Sequence, residues 1–412
     1  MDLKVNEGRV MDELERLAEF SDTPAPAVTR VVFSQADMDA RRFVKDECAG
    51  AGLAVHEDAI GNMFARWAGS EPELPAVGTG SHIDAIPHSG RYDGTVGVLG
   101  GLEAIRVLRE AGFRPRRCIE LVMFTAEEPT RFGIGCLGSR MLSGSLEAGA
   151  GERLKDGDGR SLNQVRQGAG FDGSLGAVRL PRGHYHAFVE LHIEQGPLLE
   201  RKQIPLGVVT AIAAPASIRI IIEGEGGHAG AVLMPARRDA FLGACEIALA
   251  LEAAAKATGA IDTVATTGVC QVFPGAVNSI PSRVQLAVDV RDIDETRRDQ
   301  VLNALAQACE TVAATRGLKV EREVLNADSP AICDATVVES LTAACEEQGA
   351  KFDKMVSRAY HDSLFVSRIA PAAMLFIPCR AGVSHRPDEY ASPEDITRGI
   401  GVLAAALRRL AG

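Results

Sequence analysis

The sequence has no apolar run long enough to span a bilayer, which excludes a transmembrane helix as an organising element. Its nine cysteines are scattered and include no CxxC pair. That usage argues against a thiolate zinc cluster or a disulfide framework and reads as reduced cytosolic thiols. Positive charge is also short: 44 Lys and Arg stand against 55 Asp and Glu, a formal net charge of −11. Nucleic acid and anionic membrane are therefore not expected partners, although local basic groups leave a small anionic substrate open. Neither internal repeats nor low-complexity segments are present. The opening stretch "MDLKVNEGRVMDELERLAEF" is charged and amphipathic, so a helix is expected there rather than a secretory signal. What remains is an ordinary globular composition over 412 residues, too long for one core and suited to about two domains. A cytoplasmic enzyme is the expectation.

Strand and helix patterns alternate through the first half. "SQADMDARRFVKDECAG" opens with Ser34 and Asp37 at capping-box spacing and continues with helical periodicity. "AVHEDAIGNMFARWAG" alternates like a hairpin broken at Gly61-Asn62. "PAVGTGSHID" is a short strand, "GTVGVLGGLEAIRVLREAG" a helix ending at Gly112, and Cys118–Thr125 another strand. This order predicts a doubly wound, mainly parallel α/β sheet, whose ligands collect at the carboxyl ends of strands. A polar, glycine-rich interval at 145–182 reads as helical turns and loops before "HAFVELHIEQGPLLE" resumes a strand. The pattern then becomes β-α-β-β-α-β, a ferredoxin-like α+β unit placed at 212–327 as an inserted lid and dimerisation domain. Residues 1–211 and 328–412 would form the catalytic domain.

The polar residues at strand ends carry the chemistry. They are His82 and Asp84 in "SHID", Asp93 in "GRYDGTVG", Glu127 and Glu128 in "LVMFTAEEPTRFG", His192 in "VELHIEQG" and His385 in "GVSHRPDEY". Imidazole and carboxylate donors suit zinc or manganese better than calcium or magnesium. Singly, most of these have bland readings: a lone histidine is usually a satisfied core or surface group, and Asp93 sits in a Tyr-Asp-Gly turn. The adjacent pair Glu127-Glu128 is harder to dismiss. Two carboxylates after a buried strand repel each other and resist desolvation unless a cation is present or one is protonated. In a metal site one would bind the ion and the other would stay free as a base. His82-x-Asp84 suits an imidazole oriented by a carboxylate.

Taken with "GSHIDAIPHSGRYDGTVGVLGGLEAIRVL", "FTAEEPTRFGIGCLGSRMLSG", "VELHIEQGPLL", "GHAGAVLMPARRDA", "VNSIPSRVQLAVDVRDID" and "AYHDSLFVSRIAPAAMLFIP", the chain resembles the amidase/hydantoinase-carbamoylase family. That family belongs to the di-metal aminoacylase and carboxypeptidase-like clan, and the motifs occur in order from Glu13 onward. The resemblance implies two divalent ions, Mn²⁺ or Zn²⁺, held by His82, Asp93, Glu128, His192 and His385, with Asp93 bridging. It implies Glu127 as general base and acid, Asp84 as the group orienting His82, and hydrolysis of a linear ureido C–N bond. His228, Asn278 and Arg291 would bind a small carboxylated substrate from the partner subunit of a homodimer, with His228 also catalytic. Gln195, Tyr360 and His361 would complete the pocket. "TAIAAPASI" and "IPCRAGVSHRPDEYAS" point to the ureidoglycolate branch; the alternatives are allantoate and N-carbamoyl-L-amino acid hydrolysis. A two-lobed binding protein without turnover is the non-enzymatic alternative, against which the full metal set speaks.

Overall fold

A computed structural model describes residues 3–412; of the expected N-terminal helix, Met1 and Asp2 lie outside the described residues. The helix itself runs Glu7–Glu19, capped by the Asn6 side chain accepting from the Arg9 N–H. The chain divides into two compact units.

The first unit comprises the residues up to Thr210, Cys333–Ser357 and His361–Gly412. Its sheet is ordered Gly207–Ile212, Ala372–Ile377, Tyr185–Ile193, Ala76–His82, Ile119–Phe124, Met63–Trp67 and Ala54–Glu57. The central strands, Ala372–Ile377 through Ile119–Phe124, are mutually parallel. They are almost wholly buried on both faces, as strands covered by helices must be, with Thr79, Ser81, Glu120 and Glu190 among the buried polar exceptions along them. The flanking strands, the Gly61-Asn62 hairpin and Gly207–Ile212, pair antiparallel. The sheet is thus parallel only at its centre, where the site is built. Strands Gly207–Ile212 and Asp353–Ser357 were not anticipated from the sequence pattern, and they pair with each other.

Helix Thr95–Glu110 and terminal helix Pro393–Ala411 pack against one another and against the central strands. The terminal helix starts with Ser392 as N-cap and Pro393 in its first turn. Glycine makes the close approach possible: a Cβ on Gly97 would stand 2.4 Å from the Leu191 carbonyl oxygen. The predicted capping position also holds, with Ser34 accepting from the Asp37 N–H at 3.2 Å. The Asp37 carboxylate, however, accepts from the Phe33 N–H at 2.7 Å and pairs with buried Arg41.

The second unit comprises Ala211–Ile332 and Arg358–Tyr360. Its antiparallel sheet is ordered Val264–Phe273, Arg283–Asp292, Ala214–Glu223 and Lys319–Ala327, and the chain path is β-α-β-β-α-β. Burial alternates along Arg283–Asp292, so Val284, Leu286, Val288 and Val290 point into one core with Ile218, Ile220 and Ile222. Helices Ala240–Ala257 and Glu295–Arg316 supply Ile247, Leu251, Val301 and Leu305 to that core. This is the ferredoxin-like topology read from the sequence. Among the described residues, no helix is long and apolar enough to cross a membrane.

Candidate active site

The parallel strands deliver their polar ends to one place. Ala76–His82 ends in His82, and Ile119–Phe124 runs into Glu127 and Glu128 after a left-handed turn at Ala126 (φ +54°). Tyr185–Ile193 carries His192 as its penultimate residue, and the loop after Ala372–Ile377 brings His385. Gln195 and His385 also hold positive φ, at +56° and +58°. Non-glycine residues adopt that region at a cost and cluster where geometry is functionally constrained.

Asp93 is the hub. Its Oδ1 lies 3.2 Å from His192 Nε2 and 3.7 Å from His82 Nε2, while its Oδ2 lies 3.2 Å from His385 Nε2. His385 Nε2 is also 3.2 Å from Glu128 Oε1. Two sets of donor atoms therefore converge tightly enough for a cation: His82, Asp93 and His192, and Asp93, Glu128 and His385. Carboxylate and imidazole donors, all buried here except the exposed His385, are the chemistry that zinc or manganese requires, so these residues fit metal ions. Glu127 belongs to neither set, although its Oε2 is 3.8 Å from His82 Nε2. A further grouping of Glu190, His192 and His361 is of a different kind. Both Glu190 oxygens are engaged, one by Ser81 Oγ at 2.7 Å and one by the Ser363 N–H at 3.0 Å.

The imidazoles are oriented through their other nitrogens. His82 Nδ1 lies 3.0 Å from the Asp84 carbonyl oxygen, and His192 Nδ1 lies 2.9 Å from that of Ile193. A carbonyl can only accept, so each Nδ1 carries hydrogen and each Nε2 faces Asp93. Expectation and structure differ in detail here. The Asp84 carboxylate is 3.6 Å from His82, and its two oxygens accept from the N–H groups of Glu127 and Glu128, each at 3.1 Å. One residue thus orients the histidine through its backbone carbonyl and both glutamates through its carboxylate. Gly94, at φ +68°, begins helix Thr95–Glu110; a Cβ there would fall 2.4 Å from the His82 ring.

Burial and charge set the protonation. Burial pushes Glu127 well above the usual carboxylate range; His82 opposes this, and the charges of Glu128 and Asp362 add to it. Glu128 is raised by burial against the pull of His385. Burial opposes ionisation of Asp93 too, but hydrogen bonds from His192, His385 and His82 outweigh it and hold Asp93 well below its usual value. For His82 and His192, burial disfavours charge, yet the surrounding carboxylates raise both. Hydrogen bonds to Asp93 and Glu128 push His385 up to about 11.

The sign of the resulting pH dependence follows. Groups raised on folding contribute stability that is complete below their unfolded values and lost as pH rises through the folded ones. Metal-free protein should therefore lose thermal stability as pH rises from about 6.5 to about 11, as His385 titrates. Asp93 acts oppositely, and its contribution is lost only in acid. Ligated metal replaces those protons, so the metal-loaded Tm should be flatter across the same window. Scanning fluorimetry in both forms measures this, and parallel curves would refute it.

The remaining predicted residues fall into two groups. Gln195 donates to Asp93 Oδ2 at 2.7 Å, and His361 packs edge-on to His192 at 4.5 Å between ring centroids. His228, Asn278, Arg291 and Tyr360 belong to the second unit. There the Ala229 N–H donates to the Asn278 carbonyl at 2.9 Å, and His228 pairs with Ser279 across a short ladder. Arg291 donates to Asp289 at 2.7 Å and to the Arg358 carbonyl at 3.3 Å.

Three site residues were not foreseen. Ser384 donates to Asp93 Oδ2 at 2.6 Å, and Glu389 accepts from the Tyr92 and Asp93 N–H groups at 2.8 and 3.1 Å. Buried Asp362, pushed up to about 8 by burial and Glu190, accepts from Ser139 at 2.5 Å. Ser384 and Glu389 flank His385 within one short stretch, the only sequence signal that marked them. Glu194, two residues after His192, accepts from the Leu198 and Leu199 N–H groups at the start of a short helix, each at 2.8 Å.

Convergent carboxylates and imidazoles at the carboxyl ends of parallel strands define the chain, by class, as a metal-dependent hydrolase. A model of the peptidase family M20/M25/M40 matches residues 78–409, and the chain belongs to that family. It is 51% identical to a ureidoglycolate hydrolase of Arabidopsis thaliana, over 99% of this chain and 87% of that protein. It is 53% identical to a ureidoglycolate hydrolase of Oryza sativa subsp. japonica, over 97% of this chain and 83% of that one. Crystal structures of AtUAH in complex with glyoxylate and with (S)-hydroxyglycine each superpose with a TM-score of 0.91 at 50% identity. They cover 99% of this chain and 98% of theirs. The family resemblance read from the motifs is borne out.

Proposed function

We propose that the chain hydrolyses the ureido C–N bond of (S)-ureidoglycolate, yielding glyoxylate, ammonia and carbon dioxide as the first products decay. The observation that carries the chemistry is Glu127: a buried carboxylate 3.8 Å from His82 that stands outside both metal-binding sets. Full-length similarity to ureidoglycolate hydrolases carries the choice of substrate.

His82, Asp93 and His192 would hold one divalent ion, and Asp93, Glu128 and His385 a second, as Mn²⁺ or Zn²⁺. Bound there, the ions would acidify water and polarise the ureido carbonyl. Glu127 takes the proton from the attacking water and returns it to the departing nitrogen. Its raised proton affinity suits both halves of that exchange. Asp84 holds base and ligand in register through their backbone N–H groups.

In the homodimer that the resemblance implies, His228, Asn278 and Arg291 of one subunit serve the substrate of the other. His228 suits an oxyanion donor: its Nδ1 accepts from the Gly230 N–H at 3.1 Å, so the neutral ring carries its hydrogen on Nε2. Arg291 would clamp the substrate carboxylate with paired N–H groups. Gln195, Tyr360 and His361 line the pocket in this reading, and the enzyme works in the cytoplasm. Arg291→Ala should raise KM for ureidoglycolate by about 10²-fold with a smaller change in kcat. Unchanged KM would remove the clamp. The substrate itself is tested by ammonia release from ureidoglycolate, allantoate and N-carbamoyl amino acids with Mn²⁺; preference for either of the latter two would reassign it.

A further inference from the structure

The two oxygens of the Glu127 carboxylate face different surroundings. Oε2 is turned toward His82 and the metal-binding sets. Oε1 meets the thiol of Cys136, with Sγ 3.4 Å away and positioned to donate. Cys136 is fully buried, so no bulk water competes for that bond.

The backbone around this thiol is held on both sides. The Cys136 N–H donates to the Glu127 carbonyl at 2.7 Å, Leu137 to Ala126 at 2.8 Å and Gly138 to Thr125 at 2.8 Å. The Thr125 N–H in turn donates to the buried Asn62 side chain at 2.9 Å. The segment carrying the base and the segment carrying the thiol are therefore laced together residue by residue. Cys136 also sits at φ +54°, a left-handed position where glycine would be the unstrained choice. A side chain occupies that position despite the cost, and the group it makes contact with is Glu127. Burial and the nearby Glu127 charge keep the thiol well above its usual range, hence protonated and a donor.

Resting on the assignment of Glu127 as base, we propose that Cys136 is a positioning residue: its thiol fixes the plane of the Glu127 carboxylate so that Oε2 is presented to the reacting water. A thiol is a weak donor, so it sets orientation while withdrawing little basicity from the carboxylate.

The test compares Cys136→Ala and Cys136→Ser in the Mn²⁺-loaded enzyme. Cys136→Ala should lower kcat about tenfold, the value of one orienting hydrogen bond, with KM within about twofold of wild type. Cys136→Ser, which keeps a donor, should recover most of kcat. In a Glu127→Gln background, adding Cys136→Ala should leave the residual rate unchanged, because there is no base left to position. An unaltered kcat in Cys136→Ala, or equal loss in the Ala and Ser variants, overturns the proposal. A readout that needs no turnover accompanies these. The infrared S–H stretch of Cys136, isolated by subtracting the Cys136→Ser spectrum, should move to higher frequency in Glu127→Ala. A band that does not move overturns the proposal even if the enzyme is active. Should wild-type protein leave ureidoglycolate intact, the substrate assignment fails, while the infrared shift still decides the thiol–carboxylate bond.

Discussion

Glu127→Gln should reduce kcat by about 10³-fold while leaving the fold and the metal content as they are in the wild type. The amide has the shape of the acid but cannot take a proton. The residue's N–H stays bound to Asp84, so the neighbouring Glu128 keeps its place. Because Glu127 lies outside both donor sets, the loss should appear in turnover and not in ions bound per chain. Ammonia release and inductively coupled plasma mass spectrometry on the same sample separate the two. A variant within about tenfold of wild type would mean that another group moves the proton.

Removing divalent metal should have the next largest effect. Chelation is expected to take activity to background, and add-back of Mn²⁺ or Zn²⁺ to restore it. It should also lower Tm by several degrees, because an ion at about a hundred times its Kd stabilises the folded state by about 2.7 kcal/mol. Stripped of ions, Asp93, Glu127 and Glu128 depend on His82, His192 and His385 for compensation. Full activity from protein shown to hold no metal would end the hydrolase mechanism proposed above.

The main lines of both units could be read in advance because apolar periodicity changes where the architecture changes. Short, mostly apolar strands such as Ile119–Phe124 signal a sheet covered on both faces; the alternation in Arg283–Asp292 signals one covered on a single face. Glu127 and Glu128 were visible because nothing in a buried strand prepares for two like charges. Other features depend on contacts that leave no local pattern. Ser384 reaches Asp93 across most of the chain, and the Asp84 carboxylate chooses two N–H groups over the histidine two residues before it. A hydrogen bond from a thiol, as at Cys136, carries no spacing signal at all. Strand Asp353–Ser357 was missed because it is short and only partly buried, and so looks like a loop.

The order of the ligands along the polypeptide has a bearing on biosynthesis. His82, Asp93 and His192 emerge from the ribosome well before the strand Ala372–Ile377 and the loop bearing His385. Since Tyr185–Ile193 pairs with that late strand on one side, a nascent chain must wait for Ala372–Ile377 before the sheet around these residues is complete. The group of Asp93, Glu128 and His385 would therefore be able to take a cation only once the loop bearing His385 has been made, and a message cut short upstream of His385 would yield a product that lacks one of its three donors.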